Sequence, residues 1–234
     1  VAGGVEMNLA VTISLLAGGP GSGCNPAVGK CGRSASARDF VKSSLRKGWS
    51  IKDREALLKE ADKIKLDSRL LQGKLSVIPL SLKEAQDRGQ KAFFDRSSNP
   101  NNELHVYPKF TDTFVHEFGH WLDKNYVDLS NKGTPSVSRL GIDKKALVLA
   151  KNAAHDEYVR AHDSAYRTKG YFKNVDDQMS QAPHGVSFYA LHNEREWFAE
   201  SFAHYVAGGS QRSYLRDVAP KTYALMNDLA NGLK

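Results

Sequence analysis

The sequence predicts an α+β domain, mostly helical, with a small sheet placed ahead of one strongly apolar helix. Apolar residues recur at helical spacing through most of the second half, and two short runs upstream read as strands. A third observation sets a boundary: Gly18-Gly19-Pro20-Gly21-Ser22-Gly23 has the composition of a flexible linker. Residues 1–35 are therefore expected to form an arm, and residues 36–234 the domain.

Taken in order, Ser50 followed by Asp53 resembles a capping box, and Leu57, Ala61 and Ile64 continue at helical spacing. Leu75 to Leu80 is a short β-like run in which Pro79 calls for an edge position or a strand end. Ser81 and Glu84 cap another helix, expected to run to about Phe93. Asp95 to Asn102 is rich in turn residues, and Glu103-Leu104-His105-Val106-Tyr107 alternates like a strand. Helices are then expected from about Thr111 to Tyr126, Asp143 to Tyr166 and Asn193 to Val206. Pro220 suits the first turn of a last helix ending near Leu233.

Composition narrows the partners. The 234 residues carry a formal charge of +7, but the basic residues are scattered, as in Lys42-Arg46-Lys47 and Lys59-Lys63-Lys65. That pattern predicts a solvated basic face, not a nucleic-acid partner. No membrane partner is expected, because no run approaches the roughly 20 apolar residues that span a bilayer. Leu9 to Ala17 is too short, contains Thr12 and Ser14 and lacks a basic flank, so it does not read as a signal peptide. Cys24 and Cys31 could close a small disulfide loop or stand as two thiols, which leaves the compartment undecided.

One stretch carries chemistry. Phe114-Val115-His116-Glu117-Phe118-Gly119-His120-Trp121 spells H-E-x-x-H inside an apolar run. Residues i and i+4 share a helix face, so His116 and His120 can offer two imidazole nitrogens to one metal ion. Glu117 sits beside them as a candidate general base, the zinc-peptidase arrangement. A catalytic zinc usually has a third protein ligand. Downstream, Glu196 and Glu200 are again i and i+4, on a segment whose Trp197, Phe198, Phe202 and Ala203 suit a core. Carboxylates on such a helix are costly to bury without a cation or a partner. Glu196 is therefore expected as the third ligand, and Glu200 as an acceptor from His116 that fixes its tautomer.

These residues resemble the gluzincin protease domain of anthrax lethal factor and its relatives, including the Pro-Pro endopeptidases. The resemblance covers about Ala92 to Leu233. It rests on the strand before the metal helix, the HEFGH segment, the block from Tyr189 to Phe202 and the closing Ala219-Pro220-Lys221-Thr222-Tyr223. It implies a zincin-like fold and one catalytic zinc ion held by His116, His120 and Glu196. It also implies Glu117 as base, Tyr189 on the oxyanion and a protein or peptide substrate. The strand from Glu103 to Tyr107 is expected to hold an extended substrate by strand addition. Gly18 to Arg33 in addition resembles linkers of bacteriophage head-associated proteins with appended enzymatic domains, which would make the chain a virion component.

Plainer readings stand beside these. A structural or virion-associated protein could retain a zinc site without proteolysis, and Tyr189 could simply pack in a core. Asp123 could orient His120 or be a surface carboxylate. His204 could support Glu200, while His105, His155, His162, His184 and His192 read as ordinary histidines, the last two closest to the site. Phe118, Trp121, Trp197 and Phe198 are expected in the core. Gly119 is expected to admit a close neighbour.

Overall fold

A computed structural model describes residues 36–95, 102–131, 142–169 and 186–232. The expected arm, with Cys24, Cys31 and the phage-like linker, lies outside the described residues. So do His184 and most of the segments 128–141 and 168–184, which the sequence leads one to expect as loops lining the cleft.

The helices preceding the sheet are α1 (Ala37–Ser44) and α2 (Ile51–Lys63), capped by the side chains of Ser36 and Ser50. Strand β1 (Ser76–Pro79) leads to α3 (Leu82–Arg88), whose start carries a complete capping box between Ser81 and Glu84. Here the structure corrects the sequence reading. The helix ends at Arg88, because Gly89 takes a left-handed conformation (φ 62°) as its C-cap. Ala92 and Phe93 belong instead to strand β2 (Ala92–Asp95), which is followed by β3 (Glu103–Val106).

The sheet order is β1-β3-β2, with β1 parallel and β2 antiparallel to β3. Pro79 thus lies on an outer strand, as its missing N–H requires. β3, however, is central and hydrogen-bonded on both sides, so the edge expected from Glu103 to Tyr107 does not exist. The two true edges differ. Beside β1, Leu45 forms a bridge to Val77, while Arg46 N (2.9 Å) and Trp49 Nε1 (3.2 Å) donate to the Val77 carbonyl. The outer edge of β2 faces the cleft described below.

A 3₁₀ segment (Pro108–Thr113) leads into α4 (Phe114–Leu122), and a π-helical turn (Asp123–Val127) leaves it. Then come α5 (Lys144–Lys169), a 3₁₀ turn (Tyr189–His192), α6 (Glu194–Ala207), α7 (Gly209–Val218) and α8 (Pro220–Asn231). α1 and α7 were not expected. Leu215 is the single buried residue in α7, which opens on two glycines at positive φ, Gly208 and Gly209, so no apolar period announces it.

The core joins α4 to α6 and to the sheet. Phe114, Phe118, Trp121, Leu122, Trp197 and Phe198 are fully buried, as are Leu104 and Val106 of β3. The block from Ala219 to Tyr223 has a structural role: the Glu157 carboxylate of α5 accepts from Lys221 N, Thr222 N and Thr222 Oγ1 (3.1, 2.8 and 2.8 Å). It caps α8 from outside and serves donors that the helix start leaves open. Trp197 Nε1 donates to the same Thr222 hydroxyl at 2.9 Å, tying α6 to that cap.

Candidate active site

Packing fixes the rotation of both functional helices. Burying Phe114, Phe118, Trp121 and Leu122 turns His116 and His120 toward α6. On α6, the buried Trp197, Phe198, Ser201 and Phe202 turn Glu196 and Glu200 back toward α4. The helices also approach closely at Gly119, where a Cβ would sit 3.0 Å from the Ala199 Cα. That is the close neighbour expected for this glycine.

The result is a tight triangle. His116 Nε2 and His120 Nε2 are 3.1 Å apart, and Glu196 Oε2 lies 3.2 and 3.3 Å from them. Glu196 Oε2 is buried and receives no hydrogen bond of regular geometry. Two imidazole nitrogens and a carboxylate oxygen are a zinc donor set. Ligands on a tetrahedral zinc at 2.0–2.2 Å are separated by about 3.3–3.6 Å, so the residues present fit one zinc ion. Among the described residues, these three are the group of His, Cys, Asp and Glu close enough to share a metal.

Behind the triangle, His116 Nδ1 lies 2.9 Å from Glu200 Oε1, though off the direction of a regular hydrogen bond. The other Glu200 oxygen accepts from Ser187 Oγ at 3.2 Å, and Ser187 Oγ accepts from Ala190 N at 3.0 Å. Burial works against charge on His116, but Glu196 and Glu200 outweigh it and push its pKa up to about 10. Burial likewise raises both carboxyls, yet the histidines prevail and hold them below the usual range, Glu196 most of all. Glu117 goes the other way. Desolvation raises its pKa, while its carboxylate accepts from the Phe94 N–H of β2. Burial and the carboxylates of Glu196, Glu117 and Glu200 keep the Tyr189 hydroxyl protonated, and it donates toward Glu196. Its ring centroid is 5.9 Å from that of His116.

His116, Glu117, His120, Tyr189, Glu196 and Glu200 all line one cleft of about 780 Å³. Its second wall, from Gly89 to Phe94, was hidden in the sequence by the helix expected to run to Phe93. Four further lining residues were also missed: Asp112, Thr113, Asn193 and Arg195. The Asn193 side-chain oxygen accepts from Arg195 N and Glu196 N, both at 3.0 Å, which starts α6 and fixes the backbone of Glu196. An Asn just before a helical run is a readable N-cap, so this residue had a signal.

The remaining candidates separate cleanly. Asp123 is fully buried, not a surface carboxylate, and its Oδ1 accepts from Leu129 N at 2.8 Å. His204 Nδ1 pairs with the Glu200 main-chain carbonyl at 3.0 Å. His105 stacks on Phe93, His155 lies 3.8 Å from Glu194, and His162 sits beside Asp163. His192 is exposed, with its ring 5.4 Å from that of Tyr189.

The chain is similar to the solved structure of the Pro-Pro endopeptidase PPEP-2 from Paenibacillus alvei, at 16% identity and a TM-score of 0.45, over 81% of this chain and 99% of that one. No curated protein matches it in sequence. The sequence model of the family described as anthrax toxin lethal factor, N- and C-terminal domain, matches residues 97–229. The fold is the expected α+β, mostly helical, zincin-like one with its small sheet ahead of α4. Since the matched span is more than half of the chain and holds both helices of the triangle, the chain belongs to the lethal factor family.

Proposed function

We propose that the chain is a zinc-dependent endopeptidase of the gluzincin type, with one catalytic ion held by His116, His120 and Glu196. The observation that carries the reading is the triangle of 3.1–3.3 Å edges opening on the same cleft as Glu117. When bound, zinc supplies Lewis acidity, polarising a scissile carbonyl and lowering the pKa of a ligated water toward about 7. Glu117 accepts the water's proton and passes it to the leaving amine. Its buried setting, which raises its pKa, suits a group that must hold and then release a proton. The Tyr189 hydroxyl, kept protonated, donates to the oxygen on which negative charge develops. Glu200 accepts from the Nδ1–H of His116 and so keeps the proton on Nδ1, which leaves the Nε2 lone pair for the metal.

The substrate holder is reassigned from β3 to β2. Its outer edge lies in the cleft wall, and an extended peptide adds there as a further strand. A zinc ion retained for structure alone needs neither a base nor an open cleft beside it.

The test is mass-spectrometric cleavage of a diverse peptide library with zinc present, comparing the parent with Glu117→Ala. Cleavage by the parent is expected, with a loss of about 10²–10⁴-fold or more in the variant at unchanged zinc content. Equal cleavage by both proteins would remove Glu117 from the mechanism.

A further inference from the structure

The walls of the cleft carry charges that the proposed chemistry does not use. Apart from the triangle, Glu117 and Glu200, the charged lining residues among those described are Lys91, Arg195 and Asp112. Neither cation has a carboxylate oxygen within 4.0 Å among the described residues. Some cations of the chain are paired, Arg38 with Glu55 and Asp62, Lys63 with Glu60, and Arg69 with Asp67; what sets Lys91 and Arg195 apart is their place in the cleft. Arg195 even stands between two glutamates in sequence. Successive helix residues point about 100° apart. Glu194 accordingly lies 3.8 Å from His155, and Glu196 faces the two site histidines.

One cation stands on each wall of the cleft, Lys91 on the strand side and Arg195 on the helical side. Lys91 precedes β2, where its carbonyl accepts from Tyr107 N, and its ammonium rests 4.5 Å from the centre of the Phe110 ring. Arg195 is exposed on the first turn of α6, one residue before Glu196. A strand lying along β2 sends alternate side chains to opposite sides, so residues near the cleaved bond come within reach of one cation or the other. Asp112 opposes them, which leaves these three groups at a net charge of +1. Building on the peptidase reading, we propose that Lys91 and Arg195 select acidic substrates, peptides carrying Asp or Glu within about three residues of the cleaved bond. A guanidinium can take a carboxylate with two parallel hydrogen bonds, so Arg195 is the stronger selector.

The experiment has two arms on the zinc-loaded protein. One scores library cleavage for residues around the cut. The other measures, by fluorescence anisotropy at low and high salt, binding of a Glu-containing peptide and its Gln counterpart to the Glu117→Ala protein. Enrichment of Asp and Glu near the cut is expected, with about tenfold tighter binding of the Glu peptide, weakened by salt. Arg195→Glu should reverse both preferences, and Lys91→Glu should reduce them. Cleavage without acidic enrichment, or enrichment unchanged in Arg195→Glu, overturns the proposal while the peptidase reading stands. Salt-sensitive, Arg195-dependent binding without any cleavage supports the acidic selection and sinks the peptidase reading. Absence of both cleavage and Glu-over-Gln preference overturns both.

Discussion

The two walls of the cleft are built on different principles. The helical wall, α4 against α6, holds the ligands with side chains whose spacing is local, i and i+4 on each helix. The strand wall, from Gly89 to Phe94, presents main-chain groups, and its exposure to the cleft depends on which partner β2 has on its other side. The first wall is rigid because it is buried and close-packed. The second is available because, among the described residues, one row of its hydrogen-bonding groups has no strand beside it. On the proposed function, chemistry belongs to the helical wall and recognition to the strand wall, so each should be damaged by a different kind of substitution.

The largest effect is expected where the helical wall is tightest. Gly119→Ala places a Cβ 3.0 Å from the Ala199 Cα and 3.3 Å from a Phe202 ring carbon. Alanine gains about 1 kcal/mol of helix propensity over glycine, but overpacking against backbone costs about 1–3 kcal/mol. The helices can relieve the clash only by moving apart, which lengthens the His120 to Glu196 edge. Lower thermal stability together with weaker zinc binding is expected, read by calorimetry and metal titration. Unchanged zinc affinity would show that the ligands do not depend on this close approach.

Glu200→Gln tests the electrostatic support of the same wall. Without metal, His116 has a pKa raised to about 10, so it is protonated at pH 7.5 and must lose that proton to bind zinc. Binding at pH 7.5 should release about one proton, seen as a buffer-dependent enthalpy in titration calorimetry. Because this pKa exceeds the unfolded value, the charged histidine stabilises the metal-free fold fully below about pH 6.5 and progressively loses that effect up to about pH 10. Glu200→Gln should weaken zinc binding by about 10–100-fold and reduce the proton release. A variant that releases as many protons as the parent would remove Glu200 from the set holding that charge.

The same contrast explains what could be read from sequence. His116, Glu117, His120, Glu196 and Glu200 were legible because helix periodicity turns local spacing into a shared face, and because costly carboxylates in an apolar segment call for a partner. The sheet was only half legible. Alternation identified Glu103 to Tyr107 as a strand, but whether a strand lies at an edge depends on what folds onto it from elsewhere. The capping box at Ser81 correctly began α3, whereas the left-handed turn at Gly89 that ends it went unread, and β2 was lost with it. Asp123 shows the same limit: a carboxylate after a metal helix looks exposed until the chain folds back to offer the Leu129 N–H.

The strand wall can be tested at a single atom. Tyr107 N donates to the Lys91 carbonyl, and Ala92 lies opposite Val106. In an antiparallel ladder, hydrogen-bonded pairs alternate. The main-chain groups of Phe93 and Asp95 therefore point to β3, and those of Ala92 and Phe94 point outward. Glu117's acceptance of the Phe94 N–H agrees with that assignment. Ala92→Pro deletes an outward N–H, a substitution that an edge strand tolerates, while Phe93→Pro deletes one used inside the sheet. Ala92→Pro should keep the fold and zinc content but raise KM for peptides by about tenfold, the worth of one hydrogen bond to the substrate backbone. Phe93→Pro should lower the melting temperature instead. If Ala92→Pro leaves KM unchanged, the peptide is held from the α6 side, and β2 is only a wall.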